Sequence, residues 1–566
     1  MRKLILTIVP TMCLFIACLT AAAVTATEKT AMTIAAGDNS SFVVKADGSL
    51  WAWGANGAGQ LGDGTLADRH SPVKIMGSVA SVTSSLSSTM AIKTDGSLWA
   101  WGANGAGQLG DGTPENRHVP VKIMDAVASV SLTGVNTMAI KTDGSLWAWG
   151  INGEGQLGDG TTINRYSPVK IMDSVVAVSS RSMHTMAIKT DGSLWAWGWN
   201  TSGQLGDGST IDRHSPVKIM DAVAMVAAGE LHTLALKTDG SLWAWGRNLE
   251  GQLGDKTNKE RHVPVKIMDS VLALSSGLYA AMAITTDGSL WAWGANDNGW
   301  LGDKTAENRN SPVKVMDSVA SAFFGNGHTM AIKTDGSLWA WGYNDDGRLG
   351  DGTTANRLSP AKIMDSVASV SMGPHNMAIK TDGSLWAWGL NDYGEIGNGA
   401  VNAYEWIDDG SKWGKKQLSI DNNMKAPVKI MDGVKPAGEA PAPKPKPDAP
   451  SAEIKVIVNG AILSFDQPPI IEHDRTLVPL RMIFEALGAE VEWDETARTV
   501  TAVKEDITIA LKIGSDILLK NGAEIKLDVP AKIVNSRTLV PIRAVAESFG
   551  AKVGWDQTTK TVTITQ

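Results

Sequence analysis

The stretch Asp95-Gly96-Ser97-Leu98-Trp99-Ala100-Trp101-Gly102 decides the fold. Asp95-Gly96 is a hairpin turn signal, because Gly reaches positive φ without steric cost. Thr89-Met90-Ala91-Ile92-Lys93 enters the turn as one strand, and Leu98-Trp99-Ala100-Trp101 leaves it as the other. Strand alternation sends Trp99 and Trp101 to one face and Leu98 and Ala100 to the opposite face. Both faces are apolar, so both must be covered by protein.

The octapeptide begins at Asp47, Asp95, Asp143, Asp191, Asp239, Asp287, Asp335 and Asp382, in steps of 48 residues and finally 47. A glycine-rich loop follows each copy, as in Gly102-Ala-Asn-Gly-Ala-Gly-Gln-Leu-Gly110. Val119-Pro120-Val121-Lys122-Ile123-Met124 then reads as an outer edge strand, because Pro lacks the donor that a central strand needs. Val127-Ala128-Ser129-Val130 reads as the inner strand of the next unit. Four short strands per unit, two covered faces and no helical period inside the array specify a β-propeller. The fold class is therefore mainly β: seven to eight four-stranded blades, with a small C-terminal α+β domain.

Composition agrees with one motif copied many times: 22 Trp against 7 Phe and 5 Tyr, and 59 Gly. The net charge is −8 and no block of Lys and Arg occurs, so nothing speaks for a nucleic-acid partner. Arg2 and Lys3, the apolar run Leu4 to Leu19 and the small residues up to Ala26 read as an export signal over residues 1–26. A retained N-terminal anchor and lipidation at Cys18 are the alternatives. Cys13 and Cys18 are the only cysteines, so cleavage after Ala26 leaves no thiol. The mature chain is expected to be extracellular, monomeric and without a membrane span.

The pattern Gly-x-Asn-x-x-Gly-Gln-Leu-Gly, after Trp-Gly and before Pro-Val-x-Ile, resembles the regulator of chromosome condensation repeats, across residues 32–434. That resemblance implies a propeller, usually of seven blades. Eight copies leave two arrangements: eight blades, or seven with one copy outside the ring. The opening strand Thr33-Ile34-Ala35-Ala36 and the closing strand Ala426-Pro427-Val428-Lys429-Ile430 offer one shared blade to close the ring.

Residues 435–453 are a Pro/Ala/Lys linker of extended, polyproline-like type. Residues 454–566 hold a duplication: Arg475-Thr-Leu-Val-Pro-Leu-Arg481 returns as Arg537-Thr-Leu-Val-Pro-Ile-Arg543. A short helix is expected from near Pro479 through Met482, Ile483, Phe484 and Leu487, capped by Gly488, with a strand at 490–493. The second half repeats this around Val545, Phe549, Gly550 and Trp555. The domain resembles the N-terminal (stalk) domain of copper amine oxidases, which is frequent in secreted proteins of Gram-positive bacteria. Amine oxidation needs three His ligands for copper and a Tyr that becomes the quinone. This domain has His473 alone and no Tyr, so no copper, no cofactor and no oxidase activity is expected.

Motifs that imitate chemistry recur blade by blade. Gly57-Ala58-Gly59-Gln60-Leu61-Gly62 matches a dinucleotide-binding pattern but no helix follows it. Ser71-Pro72-Val73-Lys74 matches a nucleophile motif, yet it repeats in several blades, whereas a nucleophile is singular. His184, His232 and His328 share one blade position and read as inter-blade bonds. Asp345, Asp346 and Asp392 are a possible calcium group. No catalytic, cofactor or metal residue is assigned.

Positions identical in all copies serve the blade, and positions that differ are free to serve function. The residue after Trp-Gly varies most: Ala55, Ala103, Ile151, Trp199, Arg247, Ala295, Tyr343 and Leu390. The loop before the second strand varies next, with Met183 and Tyr279 its distinctive members. Trp300 is a further candidate for a partner-binding face. The last copy is about 20 residues longer between Gly389 and Pro427, and the insertion carries Tyr404, Trp406 and Trp413. Drift of loop residues explains such variation; so does a partner-binding face, for which Trp, Tyr, Arg and Met are suitable anchors. The expected function is an exported, non-enzymatic binding or scaffold protein for a protein or cell-surface ligand. The resemblance also implies two alternatives, a regulator like a guanine-nucleotide exchange factor and a secreted inhibitor of a hydrolase such as a β-lactamase.

Overall fold

In the second repeat, Ser88–Lys93 and Leu98–Gly102 pair antiparallel across a turn in which Gly96 takes φ +80°. Val79–Ser85 adds on the inner side and Arg117–Met124 on the outer side, completing one blade. Pro120 lies in that outermost strand, where one edge needs no donor. The computed structural model describes residues 24–25, 33–407 except 182 and 326, and 415–434. It also describes 455–566 apart from 464–468, 473–474, 495–496, 514, 530, 535–536 and 557–560. The expected export signal up to residue 23, the linker 435–453 and His473 lie outside the described residues.

Each of the eight copies builds its own four-stranded antiparallel sheet. The propeller has eight blades, and no copy stands outside the ring. The expectation of a shared closing blade is not met. Ile34–Ala36 is the inner strand of the first blade, and Met424–Met431 is the outermost strand of the last. Every copy contains a complete set of four strands, so none is left over to lend. The ring closes by packing instead. Ile34, Ala36, Val43 and Trp53 bury against Met377, Ile379, Leu385 and Ala387. The Ala36 amide donates to Ser371 Oγ at 2.8 Å, and Trp53 Nε1 donates to the Glu395 carbonyl at 2.7 Å.

The other seams repeat this design. Trp245, 0% exposed, packs with Leu194, Ala196 and Leu205 of the fourth blade and Val223, Val226 and Ala235 of its own. Its Nε1 donates to the Gln204 carbonyl at 2.9 Å. Gly206 lies against the indole at φ +81°, where a Cβ would stand 2.6 Å from Nε1. The last glycine of Gly-Gln-Leu-Gly is therefore required by a close approach as well as by a backbone angle. Burial of one such Trp is worth at most roughly 4–6 kcal/mol of transfer free energy.

The two tryptophans of each motif share a face, as alternation requires, but not a role. Trp101 is fully buried, whereas Trp99 is half-buried toward the turn end of the blade. Trp99 Nε1 donates to Ser97 Oγ at 2.9 Å, and Lys93 Nζ sits 4.7 Å from the ring centroid. The repeated Trp-Ala-Trp is a solvent-edge cap followed by a core lock, rather than two core residues.

Val24–Thr25 pairs with Met225 and Val226 on the inner strand of the fifth blade. The C-terminal unit, residues 443–566, is a second compact body. Strands Arg475–Pro479 and Arg537–Pro541 pair antiparallel about Val478 and Val540, which relates the two halves of the duplication. Each strand leads into a helix, Leu480–Ala486 or Ile542–Ser548. Phe484 and Phe549 meet edge to face at 5.2 Å in the shared core. Gly488 and Gly550 end the helices at φ +79° and +80°. Among the described residues no helix is long and apolar enough to cross a membrane.

Candidate partner-binding face

The variable loops stand on an invariant frame. In the second blade Asn104 is the hub: its Oδ1 accepts from the Leu109 amide at 2.9 Å, and its Nδ2 donates to Asp111 Oδ1 at 3.0 Å and the Thr113 carbonyl at 2.7 Å. Asp111 pairs with Arg117. Burial disfavours the Asp111 anion, but hydrogen bonds from Arg117 and Thr113 outweigh it and hold the carboxyl below its ordinary range. Gly102 takes φ +99°, and a Cβ there would stand 2.2 Å from the Ser87 carbonyl. This close passage lets the Ala103 amide donate to the Ser87 carbonyl at 2.8 Å.

That backbone bond recurs and joins the two variable stretches. The Trp199 amide donates to the Met183 carbonyl, Arg247 to Leu231, Ala295 to Tyr279 and Tyr343 to Gly327, each at 2.8 Å; Leu390 donates to Pro374 at 3.3 Å. The two stretches are thus one loop cluster at one end of each blade, and the Asp-Gly turns occupy the opposite end.

Around this face the blades are unequal. The first three present Ala55, Ala103 and Ile151 after Trp-Gly; the fourth, fifth, seventh and eighth present Trp199, Arg247, Tyr343 and Leu390, and the sixth, with Ala295 there, carries Tyr279 and Trp300 in its loops. Met183 is 38% exposed beside the half-buried Trp199. The Arg247 guanidinium lies 5.1 Å from the Tyr279 ring centroid and 2.8 Å from Glu250 Oε1. Trp300 and Tyr343 flank Gly327, whose added Cβ would stand 3.4 Å from each. Arg348 lies 4.6 Å from the Tyr343 ring centroid and pairs with Asp346. Burial, and then a hydrogen bond to Asp345, pushes the Tyr343 hydroxyl above its ordinary range. Arg181 Nη1 donates to the Ser276 carbonyl at 3.4 Å, from the fourth blade to the sixth. Leu390 is half-buried at the eighth blade.

The insertion forms a hairpin, Ala403–Ile407 with Lys415–Ile420, and places Tyr404 and Trp406 in its first strand. Asn402 roots it, donating to Asp392 Oδ1 at 2.7 Å and accepting from the Asn422 amide at 2.7 Å. Trp413 lies outside the described residues.

The calcium reading is not met. Asp345 accepts from Tyr343, Asp346 pairs with Arg348, and Asp392 accepts from Asn402. Among the described residues no group of three or more His, Cys, Asp or Glu could hold a metal ion. The histidines do bridge blades: His184 Nε2 meets Thr233 Oγ1 at 3.3 Å and His232 Nε2 meets Ser276 Oγ at 3.1 Å. Burial, helped by Arg181, lowers His184 to about 4; burial, His184 and Arg181 lower His232 to about 3.

Arg348, Glu395 and Phe324 escaped sequence reasoning. Comparison of the copies at the Gln60 position held the signal for two of them: Gln in five blades, then Trp300, Arg348 and Glu395. Glu395 is 0% exposed, and burial, with Asp392 and Asp68 adding to it, pushes its carboxyl up to about 8.

Comparison with known proteins supplies the family. An RCC1-like domain model matches residues 172–435. Regulator of chromosome condensation (RCC1) repeat models match residues 33–60, 47–92, 95–140 and 143–188. A copper amine oxidase N-terminal domain model matches residues 457–564. A primary amine oxidase of Klebsiella aerogenes is 28% identical over 100 residues, covering 17% of this chain and 13% of that protein. The chain thus spans only a small part of this relative. Among solved structures, Prp20p of Saccharomyces cerevisiae is 20% identical, covering 63% of this chain and 94% of its own, with a TM-score of 0.49. Human WBSCR16 is 20% identical, covering 59% and 94%, with a TM-score of 0.47.

Proposed function

Since the chain belongs to the regulator of chromosome condensation repeat propellers, with a copper amine oxidase N-terminal domain appended, we propose that it is an exported, non-enzymatic protein-binding propeller. The binding face is the loop cluster of the fourth to eighth blades. The observation that carries this reading is the inequality of the copies: one end of the ring alone gathers Met183, Trp199, Arg247, Tyr279, Trp300 and Tyr343 on a rigid frame. Large aromatic and Arg side chains on a preorganised scaffold lose little entropy on binding and dominate interface energies. Arg2, Lys3 and the apolar run after them support export. In the C-terminal domain one His and no Tyr do not fit a copper and quinone centre, so its role here is presentation of the propeller.

The test is capture of partners from cell-surface and culture extracts by the chain lacking residues 1–26. A partner retained by the parent and lost by Trp199→Ala/Tyr343→Ala supports the face. Recovery of every partner unchanged removes it, and a protein found in the cytoplasm on fractionation removes the exported role.

A further inference from the structure

We propose that the channel edge of the fifth blade is a strand-docking site, and that its occupant is this chain's own N-terminal segment, which export leaves beginning at Val24. The proposal rests on the exported reading above and sharpens it: the signal is cut after Ala23 instead of after Ala26.

Each inner strand pairs on one side with the second strand of its blade and turns its other edge, a row of backbone donors and acceptors, toward the channel. Among the described residues one such edge is taken. Val24–Thr25 lies antiparallel on Val223–Ala228, with Val24 opposite Val226 and Thr25 opposite Met225, and gives the fifth blade five strands where the other blades have four. The strand that receives it differs from its counterparts. Val223-Ala224-Met225-Val226-Ala227-Ala228 has no Ser, whereas every other inner strand of the second to eighth blades carries at least one. Met225 and Val226 are 4% and 1% exposed. Their counterparts in the third and seventh blades, Ser129 with Val130 and Ser321 with Ala322, stay partly open to solvent. An apolar strand edge left bare invites pairing with another chain, so an occupant from the same chain removes that hazard.

The place of the fifth blade in the ring fits this occupant. In a ring of eight it stands opposite the first blade, whose inner strand is Ile34–Ala36. From Thr25 to Ile34 the chain reaches at most about 32 Å, enough to cross the channel and too little to pass over two blades and half the rim. Val and Thr are β-branched and suit an extended pairing segment. Ala21-Ala22-Ala23 and Val24-Thr25-Ala26 both end in a small residue of the kind that precedes a signal cut. A cut after Ala26 removes both paired residues and leaves the apolar edge bare. A cut after Ala23 keeps them. With that edge filled, the fifth blade offers a partner its loops but no strand pairing in the channel.

The test is secretion of the full chain from a Gram-positive host, with intact mass read on the protein in the medium. The expected first residue is Val24. The signal takes Cys13 and Cys18 with it, so introduced thiols stand alone. Thr25→Cys/Met225→Cys, at directly opposed positions, should form an intramolecular disulfide on oxidation. Thr25→Cys/Ser129→Cys, at the matching strand position of the third blade, should not. Deletion of residues 24–26 should speed hydrogen–deuterium exchange in Val223–Ala228 about tenfold and leave Val127–Leu132 of the third blade unchanged. The exchange comparison needs no cysteine and decides alone if the double variant is not secreted. A secreted chain that begins at Thr27 overturns the docking and leaves the exported reading intact. A chain that begins at Val24 but forms no disulfide, links equally in the Ser129→Cys control, or exchanges as the deletion does, also overturns the docking. Uncut protein held in the cytoplasm removes the exported reading, and this inference with it.

Discussion

Substitution of Gly206 by Ala should open the seam between the fourth and fifth blades. The new methyl would stand 2.6 Å from Trp245 Nε1 and 2.8 Å from its Cδ1, at a backbone φ of +81°. The left-handed conformation costs Ala about 1–2 kcal/mol. Displacing a fully buried indole from a packed seam costs about 1–3 kcal/mol more. The Trp245 bond to the Gln204 carbonyl, worth about 0.5–1.5 kcal/mol, goes with it. The expected loss is about 2.5–6.5 kcal/mol. Gly208→Ala is the internal control: its φ is +85°, but the nearest atom to its Cβ is Val263 Cγ1 at 3.7 Å, so only the backbone contribution of about 1–2 kcal/mol remains. Urea unfolding of both variants, followed by near-UV circular dichroism, reads the difference as a shift in midpoint at unchanged slope. Losses agreeing within about 0.5 kcal/mol would refute the claim that this glycine serves the tryptophan lock.

Ala281 stands where most blades place a Thr that bonds the preceding blade, as Thr233 does to the Gln204 carbonyl at 2.8 Å. Ala281→Thr should raise stability by about 0.5–1.5 kcal/mol in the same urea assay. Burial lowers the folded-state values of His184, His232 and His375 to about 4, 3 and 3. Below the unfolded value of about 6.5 the unfolded chain therefore takes up protons that the folded ring refuses. The urea midpoint should fall from pH 6.5 toward pH 4, and exchange of the three for Gln should flatten that slope. Glu395 acts in the opposite direction: its folded value, about 8, lies above the unfolded one, so its penalty grows as pH rises from the ordinary carboxyl range to 8. Glu395→Gln should stabilise the chain by about 1–3 kcal/mol near pH 8 and by little near pH 4.

Blade architecture was legible because it is written eight times. Turn glycines, strand alternation and Pro120 each stated a local requirement that the structure obeys. Ring closure was not legible, since it depends on seam packing between Trp53 and Met377, which no local pattern records. The different roles of Trp99 and Trp101 were hidden for the same reason: alternation gives the face of a strand, not the distance from its end. Comparison of the copies found Met183, Trp199, Arg247, Tyr279 and Tyr343. It missed Arg348 and Glu395, which depart from the Gln of five copies at a position that was not compared.

Hydrogen–deuterium exchange of the chain with and without a captured partner tests the central claim most directly. The account predicts new protection in the loops around residues 181–183, 199, 247, 278–280, 300 and 343, with the Asp-Gly turns of the opposite end unchanged. Protection confined to those turns, or to residues 454–566, would contradict it.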